Sequence, residues 1–321
     1  MKAMRAHQLG GPDQLRFEDA PEPQPQAGQV LIQVRAAGIN PADLVRLSGR
    51  LGTPPLPYIP GTDVSGEVEK LGAGVSGLKP GDRVFGRAVA GGYAEKTCVP
   101  AAEAIPLPAN LSFDEGAAIP IPFYTAHYAL HHRAAVKPGE SVLVAAGGGG
   151  VGVAAIQLAK LAGARVITTV GSKEKAERVL ALGADVAVNY HEQDFVAEVL
   201  KFTAQKGIDV IIENVAADNM AKDFIALAPH GRIIVIGTGT GKTADATFPV
   251  FAALMKDANL LGMSLMNAGD TIAAMAASLT RLFSEGKLKA VVSKSYPLSA
   301  AAAAMADLVA GRVFGKLVLA P

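Results

Sequence analysis

The sequence is poor in several residue types, and each scarcity excludes something. Its 321 residues include one cysteine, Cys98. A single thiol rules out an internal disulfide and any cysteine-built zinc cluster, and it suits a reducing compartment. Charged residues make up 18% of the chain, and 30 Lys plus Arg stand against 29 Asp plus Glu. With a net charge of +1 and no basic run, the chain lacks the electrostatic footprint of a nucleic-acid binder. No apolar stretch is long enough to span a membrane, since the longest, Val142 to Ile156, is interrupted by four glycines. The opening MKAMRAHQLGG has no apolar secretion core. A cytoplasmic protein without membrane or nucleic-acid partners is expected. Glycine (35) and proline (20) are plentiful, but they punctuate apolar runs rather than forming a low-complexity tract.

The first third reads as short strands between turn dipeptides. Val30–Val34, Asp63–Glu69, Asp82–Gly86 and Ala94–Val99 are the strands, and Gly11–Pro12, Pro60–Gly61 and Pro80–Gly81 the turns. This pattern predicts a compact β-barrel-like domain. From Ser141 onward, apolar strands alternate with helical segments: strand 141–146, helix 151–162, strand 164–169, helix 173–183, strand 185–188, helix 192–205, strand 208–212, helix 217–228, strand 231–236 and strand 259–265. Strands apolar on both faces, separated by amphipathic helices, predict an α/β doubly wound parallel sheet. A helix over Thr271–Glu285, a strand at Ala290–Val292, a helix over Ser299–Ala310 and a last strand over Lys316–Ala320 form a tail. The tail is too short for a domain of its own and is expected to rejoin the N-terminal one.

Gly147, Gly148, Gly149, Gly150, Val151 and Gly152 lie between the first of these strands and its helix. Gly147, Gly149 and Gly152 satisfy G-x-G-x-x-G, which allows a tight turn, close approach of a pyrophosphate and tight helix-on-strand packing. The helix start supplies free N–H groups to the phosphates. The alternative is a glycine-rich turn with no ligand. A dinucleotide site specific for NAD usually carries an acidic residue at the end of the second strand. Here that strand runs into Thr169–Val170–Gly171–Ser172, and Lys173 and Lys175 flank the first carboxylate, Glu174. This favours the 2′-phosphate of NADPH, held by Ser172 and by Lys175 or Lys173. The competing reading makes the lysines a solvated helix start.

A set of ordered motifs then carries a family resemblance: Ala36–Asp43 (AAGINPAD), Ile59–Asp63 (IPGTD), Lys79–Val84 (KPGDRV), Thr125–Ala126, Lys137–Glu140 (KPGE), Gly149–Gly152, Val188–Tyr190 and Gly315–Lys316. The chain resembles the zinc-independent quinone oxidoreductases, the zeta-crystallin-like branch of the medium-chain dehydrogenase/reductase superfamily, nearly end to end. The resemblance implies a GroES-like β-barrel catalytic domain, discontinuous over 1–122 and 266–321, and a Rossmann NADPH-binding domain over 123–265. It also implies a homodimer formed through Rossmann-domain edges.

The resemblance bears on zinc as well. Zinc alcohol dehydrogenases of the superfamily carry Cys where this chain has Asn40, His where it has Thr62, and Cys or Asp near Ile121. None of the three is a usual zinc ligand, so no metal is expected. The histidines offer no ligand-spaced pair on this reading, because the adjacent His131 and His132 point apart on a helix. Without a Lewis acid the substrate must accept hydride readily, as a quinone or an α,β-unsaturated carbonyl does. The family pattern nominates Asn40 as an amide donor to the substrate carbonyl, Thr125 as a neighbour of the nicotinamide and Asp43 as an acidic residue of the same loop. Structural alternatives are that Asn40–Pro41 is a turn and that Asp43 caps the segment Leu44–Ser48. The resemblance places Tyr190 near the adenosine phosphate, with a capping tyrosine as the alternative. Gly237, at the end of the fifth strand, suits close approach to the cofactor. The chain departs from the family where some relatives carry tyrosines, at Val45 and around Arg50–Gly52. The expected activity is NADPH-dependent reduction of a quinone. An enone or enoyl reductase and a non-catalytic NADPH-binding protein are the alternatives.

Overall fold

A computed structural model describes residues 1–52, 54–88, 91–239 and 244–321. The chain forms two compact units. One comprises Met1–Ile121 and Ala276–Pro321, the other Pro122–Met275. In chain order the strands and helices that matter begin with β1 (Lys2–Ala6), β2 (Leu15–Asp19), β3 (Gln29–Gly38), α1 (Pro41–Leu47), β4 (Asp63–Leu71), β5 (Arg83–Arg87), β6 (Lys96–Pro100) and β7 (Ile105–Pro106). After α2 (Phe113–Ala117) and α3 (Pro120–His127) come β8 (Ser141–Val144), α4 (Gly150–Leu161), β9 (Arg165–Val170), α5 (Lys173–Ala181), β10 (Val186–Asn189) and α6 (Phe195–Phe202). The rest are β11 (Ile208–Glu213), α7 (Ala216–Ala226), β12 (Leu227–Val235), α8 (Val250–Met255), β13 (Asn259–Gly262), α9 (Thr271–Ser284), β14 (Val292–Pro297), α10 (Ala301–Val309) and β15 (Lys316–Ala320).

In the first unit the described strands join in the order β14-β15-β3-β4-β5-β7, with β6 also on β3, while β1 and β2 pair separately. The C-terminal β15 runs antiparallel to β3, with Val318 opposite Gly38. On its other side β3 lies antiparallel to β4, with Gly38 opposite Asp63. Residues far apart in sequence therefore meet at one end of β3. Ile32, Val34, Val64, Val68, Val84, Leu317 and Leu319 bury their side chains in one cluster beneath the sheet. The tail does rejoin the N-terminal strands, but its first strand is displaced from the expected Ala290–Val292. The ladder with β15 runs through Lys294, Ser295 and Tyr296, mostly exposed polar residues that an apolarity pattern does not mark.

The second unit is the expected doubly wound sheet. Its described strands are parallel throughout and lie in the order β10-β9-β8-β11-β12-β13. That is the 3-2-1-4-5-6 order of dinucleotide-binding folds, whose strand order reverses between β8 and β11. The central β8 is buried at every position and β11 at nearly every one, which explains their unbroken apolar runs. Packing of α6 and α7 against the sheet buries Leu143, Ile167, Val188, Ile211, Phe224 and Ile233.

Candidate active site

The glycine turn closes directly after β8. Gly149 precedes α4 as its N-cap, and its N–H returns to the Ala146 carbonyl at 3.0 Å. The glycines differ in what requires them. A Cβ on Gly147 would stand 2.0 Å from Thr168 Oγ1, a hydroxyl already donating to the Val144 carbonyl at 2.7 Å. One on Gly152 would stand 2.4 Å from the Ala146 carbonyl oxygen and 2.6 Å from Gly147 Cα. Both glycines are therefore required by helix-on-strand packing within the chain. A Cβ on Gly149 would meet only the Ala146 oxygen, at 3.5 Å, an ordinary contact. Nothing in the chain itself requires glycine there, so the open space suits an external group. Gly148, Gly150 and Val151 complete the turn and the first residues of α4, where backbone N–H groups have no intrahelical partner.

At the end of β9, Ser172 caps α5 by accepting the Lys175 N–H at 3.2 Å. Lys175 is half-buried on that turn, whereas Lys173 is exposed. Burial pushes the Lys175 ammonium pKa down, against the opposing pull of Glu174. Glu174 points along the helix toward Arg178, at 3.7 Å. Across the turn, Tyr190 covers Gly171, where a Cβ would stand 2.5 Å from the tyrosine hydroxyl oxygen. Ser172, Lys175 and Tyr190 thus surround one turn at the carboxyl edge of β9 and β10. Gly237 has a local explanation: a Cβ there would strike the Asn214 carbonyl oxygen at 2.6 Å. Just before that loop ends β11, with buried Glu213, whose carboxylate accepts the Val215 N–H and, at 3.3 Å, the Asn219 amide. Burial and the neighbouring Glu213 push the Asp223 carboxyl upward.

Asn40 and Asp43 come together in the first unit. Asn40 is extended, as a residue before proline should be, and is itself the N-cap of α1. Asp43 is not the cap; it sits in the first turn and accepts the Asn40 backbone N–H at 2.8 Å. The same carboxylate oxygen accepts the Tyr93 hydroxyl at 2.8 Å. Burial pushes the Asp43 carboxyl up to about 6, against the lowering effect of those two donors. Burial and Asp43 together hold the Tyr93 phenol well above its ordinary value. The Asn40 side chain turns the other way, donating from Nδ2 to Asp63 Oδ2 at 2.9 Å and accepting at Oδ1 from the Lys316 ammonium. Sequence reasoning named Asp63 and Lys316 only as motif residues and overlooked Tyr93. Asp63, at the start of β4, was marked by its place in the IPGTD motif. Lys316 lies 276 residues from Asn40, with no local signal to join them.

Thr125 is buried on α3, in the second unit. The helix continues as a π-turn, Tyr128–Arg133. His127, overlooked in the sequence, packs against both later rings, with centroids 4.5 Å from His131, its i,i+4 neighbour, and 5.8 Å from His132, which the wider turn brings round at i,i+5. Burial first, then the two neighbouring rings, push His127 down to about 4. Among the described residues no three His, Cys, Asp or Glu side chains are placed to hold a metal ion. Among them, too, no helix is long and apolar enough to cross a membrane.

Comparison with known proteins agrees with this architecture. Residues 26–109 match the family described as alcohol dehydrogenase GroES-like domain, and residues 150–281 the family described as zinc-binding dehydrogenase. The human quinone oxidoreductase is 38% identical over 325 residues, covering 99% of this chain and 97% of its own. A crystal structure of an NAD-dependent alcohol dehydrogenase superposes with a TM-score of 0.91 at 36% identity, covering 100% of both chains. The Escherichia coli quinone oxidoreductase complexed with NADPH superposes with a TM-score of 0.93 at 30% identity, again covering 100% of both. Glycine turn, strand order and near full-length identity converge, and the chain belongs to the zeta-crystallin-like, quinone oxidoreductase branch of the medium-chain dehydrogenase/reductase superfamily.

Proposed function

We propose that the protein is an NADPH-dependent oxidoreductase that passes hydride to a quinone without the help of zinc. The observation that carries this reading is the state of Asn40. Where zinc enzymes of the superfamily place a thiolate ligand, this chain places a carboxamide whose oxygen and nitrogen are both engaged by a buried ion pair. Such a group is a fixed hydrogen-bond donor rather than a metal ligand. NADPH, when bound, supplies the hydride. Gly149 leaves room for its pyrophosphate at the start of α4, while Ser172, Lys175 and Tyr190 would hold the 2′-phosphate. One solved relative is described as NAD-dependent. The NADPH assignment for this chain rests instead on the carboxylate-free end of β9 and the half-buried lysine beside it. The amide N–H of Asn40 would donate to the substrate carbonyl oxygen as negative charge grows there, a role suited to acceptors that spread the charge into a ring. Thr125 would line the nicotinamide side. Asp43, tied to the Asn40 backbone, would hold the loop.

A homodimer in the cytoplasm is part of the same proposal. The described edge strand β13 leaves its outer side unpaired, and α8 beside it exposes Val250, Phe251, Leu254 and Met255, with Phe251 75% accessible. An unprotected edge with an apolar patch favours pairing with a second copy.

The deciding experiment follows NADPH and NADH absorbance with a panel of quinones and enones, with and without a chelator. Quinone-dependent oxidation of NADPH, indifferent to chelation, is expected. Turnover of enones alone would move the substrate class. No turnover with any acceptor would leave a binding protein, and loss of activity on chelation would end the zinc-free reading.

A further inference from the structure

Lys316 opens the last strand, β15, and is almost entirely buried. Its ammonium reaches Asp63 Oδ2 at 2.9 Å as well as the Asn40 amide oxygen. The same Asp63 oxygen accepts from Asn40 Nδ2 at 2.9 Å, and Asp63 Oδ1 accepts the Ile121 backbone N–H at 3.1 Å. Residues at the ends of three neighbouring strands, β3, β4 and β15, thus close a triangle of side chains. Gly38 lies between Val318 and Asp63 in the sheet, where a Cβ would stand 2.2 Å from the Ala117 carbonyl oxygen and 2.7 Å from Lys316 Cε. Glycine there is required first by the Ala117 backbone, and it also keeps the space beside the end of the lysine clear.

A buried ion pair is a poor device for stability alone, because desolvation offsets most of the attraction and apolar replacements often do as well. It is a good device for orientation. An ammonium only donates and a carboxylate only accepts, so the amide has one permitted placement, with oxygen toward Lys316 and nitrogen toward Asp63. A primary amide nitrogen carries two hydrogens, and Asp63 accepts one of them. A flipped amide would offer the substrate a lone pair where a donor is needed. We infer that Lys316 and Asp63 are positioning residues that lock the Asn40 carboxamide in its donor orientation. The ammonium on the amide oxygen also draws electron density from the remaining N–H, strengthening it as a donor. The inference rests on the reductase reading for its effect on turnover, but not for its effect on the amide.

The test is the double variant Lys316→Met/Asp63→Asn, which removes both charges and leaves neither stranded. It is compared with wild type, with Asn40→Ala and with the triple combination. Readouts are thermal unfolding, calorimetric NADPH affinity, kcat and KM with menadione, phenanthrenequinone and cyclohexenone, and the side-chain amide signals in a 1H–15N spectrum. The Asn40 pair is identified by its loss in Asn40→Ala. A folded double variant with NADPH affinity within about twofold of wild type should lose roughly 10- to 100-fold in kcat, as when one positioned donor is weakened. Its Asn40 signals should shift and exchange faster, and adding Asn40→Ala should cost little more. Wild-type kcat, or fully additive losses, would overturn the inference. If the double variant does not fold, Lys316→Arg decides: amide signals and kcat that are kept together, or that shift together, support the inference, and signals that shift with kcat unchanged, or kcat lost with the signals unmoved, overturn it. If wild type itself turns over no acceptor, the reductase reading fails. The amide signals then judge the inference alone: unmoved in the charge-free variant, they refute it; shifted, they support it.

Discussion

The two units hold their candidate chemistry in opposite ways. In the second, six consecutive residues after one strand, five of them glycine, offer backbone N–H groups at the start of α4. In the first, side chains from residues 40, 43, 63, 93 and 316, on strands β4 and β15, on the start of α1 and in a bend, are drawn together by tertiary pairing, and the backbone serves as the frame. A backbone site is a local property that short sequence motifs can encode. A side-chain site built across a sheet depends on strand order and register, which only the folded chain determines.

The comparison is broken most severely by stranding a charge. Lys316→Met leaves Asp63 buried beside a neutral amide, whereas Asp63 in the native chain pairs with the ammonium at 2.9 Å. Removing one partner of a buried pair typically costs ~3–5 kcal/mol. Denaturant unfolding of the single variant should show a loss of that order, and the charge-free double variant should recover most of it. Equal losses in both would mean that packing of the lysine stem, not charge, is what the first unit needs.

A finer test separates the glycines of the cradle. Gly152→Ala drives a Cβ to 2.4 Å from a backbone oxygen, so the turn must move. Overpacking of this kind costs roughly 1–3 kcal/mol or more. Gly149→Ala meets only an ordinary contact at 3.5 Å and should unfold almost like wild type while weakening NADPH by at least ~10-fold, or about 1.4 kcal/mol. Thermal unfolding and calorimetric titration of both variants distinguish packing glycines from ligand glycines. Similar unfolding temperatures for the two would contradict the assignment.

Most of the second unit was legible before folding. The apolar runs of β8 and β11 reflect burial on both faces, and alternation with helices announces the doubly wound sheet. The first unit was legible only in outline. The strand at β14 was misplaced because most of the residues that pair with β15 are exposed and only Val292 and Tyr296 turn inward. The α8 turn was missed because its apolar residues face outward instead of forming a core stripe. Asn40 and Asp43 could be nominated because both stand in the contiguous AAGINPAD motif that carries the family resemblance. Their partners Tyr93 and Lys316 could not: β15–β3 pairing brings Lys316 within reach, and Tyr93 comes from a bend whose N–H donates to the Pro60 carbonyl at 2.9 Å. His127 was overlooked although its i,i+4 spacing to His131 is legible in the sequence; only its approach to His132, at i,i+5, needs the π-turn.

The same contrast predicts a pH signature for the first unit. Burial raises the folded Asp43 carboxyl to about 6, above its unfolded value near ~3.9. The folded state then holds this proton more tightly, so its contribution to stability is fully present below about pH 4. It falls as pH rises through about 6. A shift of about two units corresponds to roughly 2–3 kcal/mol at most. Asp43→Asn keeps a carbonyl oxygen for Tyr93 and the Asn40 N–H and removes the titration. The difference in unfolding free energy between variant and wild type should grow in the variant's favour from pH 4 to pH 7. A flat difference would show that Asp43 does not titrate in this window.

Cofactor choice should respond less strongly. Lys175→Ala removes a half-exposed cation near Ser172 and Tyr190. A charge-assisted contact is worth ~1.5–3 kcal/mol, and exposure to solvent draws it to the low end. About 10-fold weaker NADPH with NADH unchanged is expected from titration of both. Lys173→Ala should do much less, because that side chain is exposed.

The smallest expected effect concerns the shape of the cradle itself. Ala146, the residue before Gly147, has φ 55°, a left-handed conformation that costs an L side chain roughly 1 kcal/mol. Its backbone is held on both sides: its N–H reaches Thr169 Oγ1 at 3.1 Å and its carbonyl accepts the Gly149 N–H at 3.0 Å. Glycine at this position would relieve the strain but gain freedom in the unfolded chain, so the two effects partly cancel. Ala146→Gly should therefore stabilise by a few tenths of a kcal/mol up to about 1, with NADPH affinity unchanged. The affinity is the sharper readout. If the turn is fixed by Gly147 and Gly152 packing against the chain, relaxing Ala146 leaves the N–H groups of α4 where they were. A several-fold change in NADPH affinity would instead show that the strained alanine is what aims the cradle. The second unit would then share with the first a dependence on one well-placed side chain.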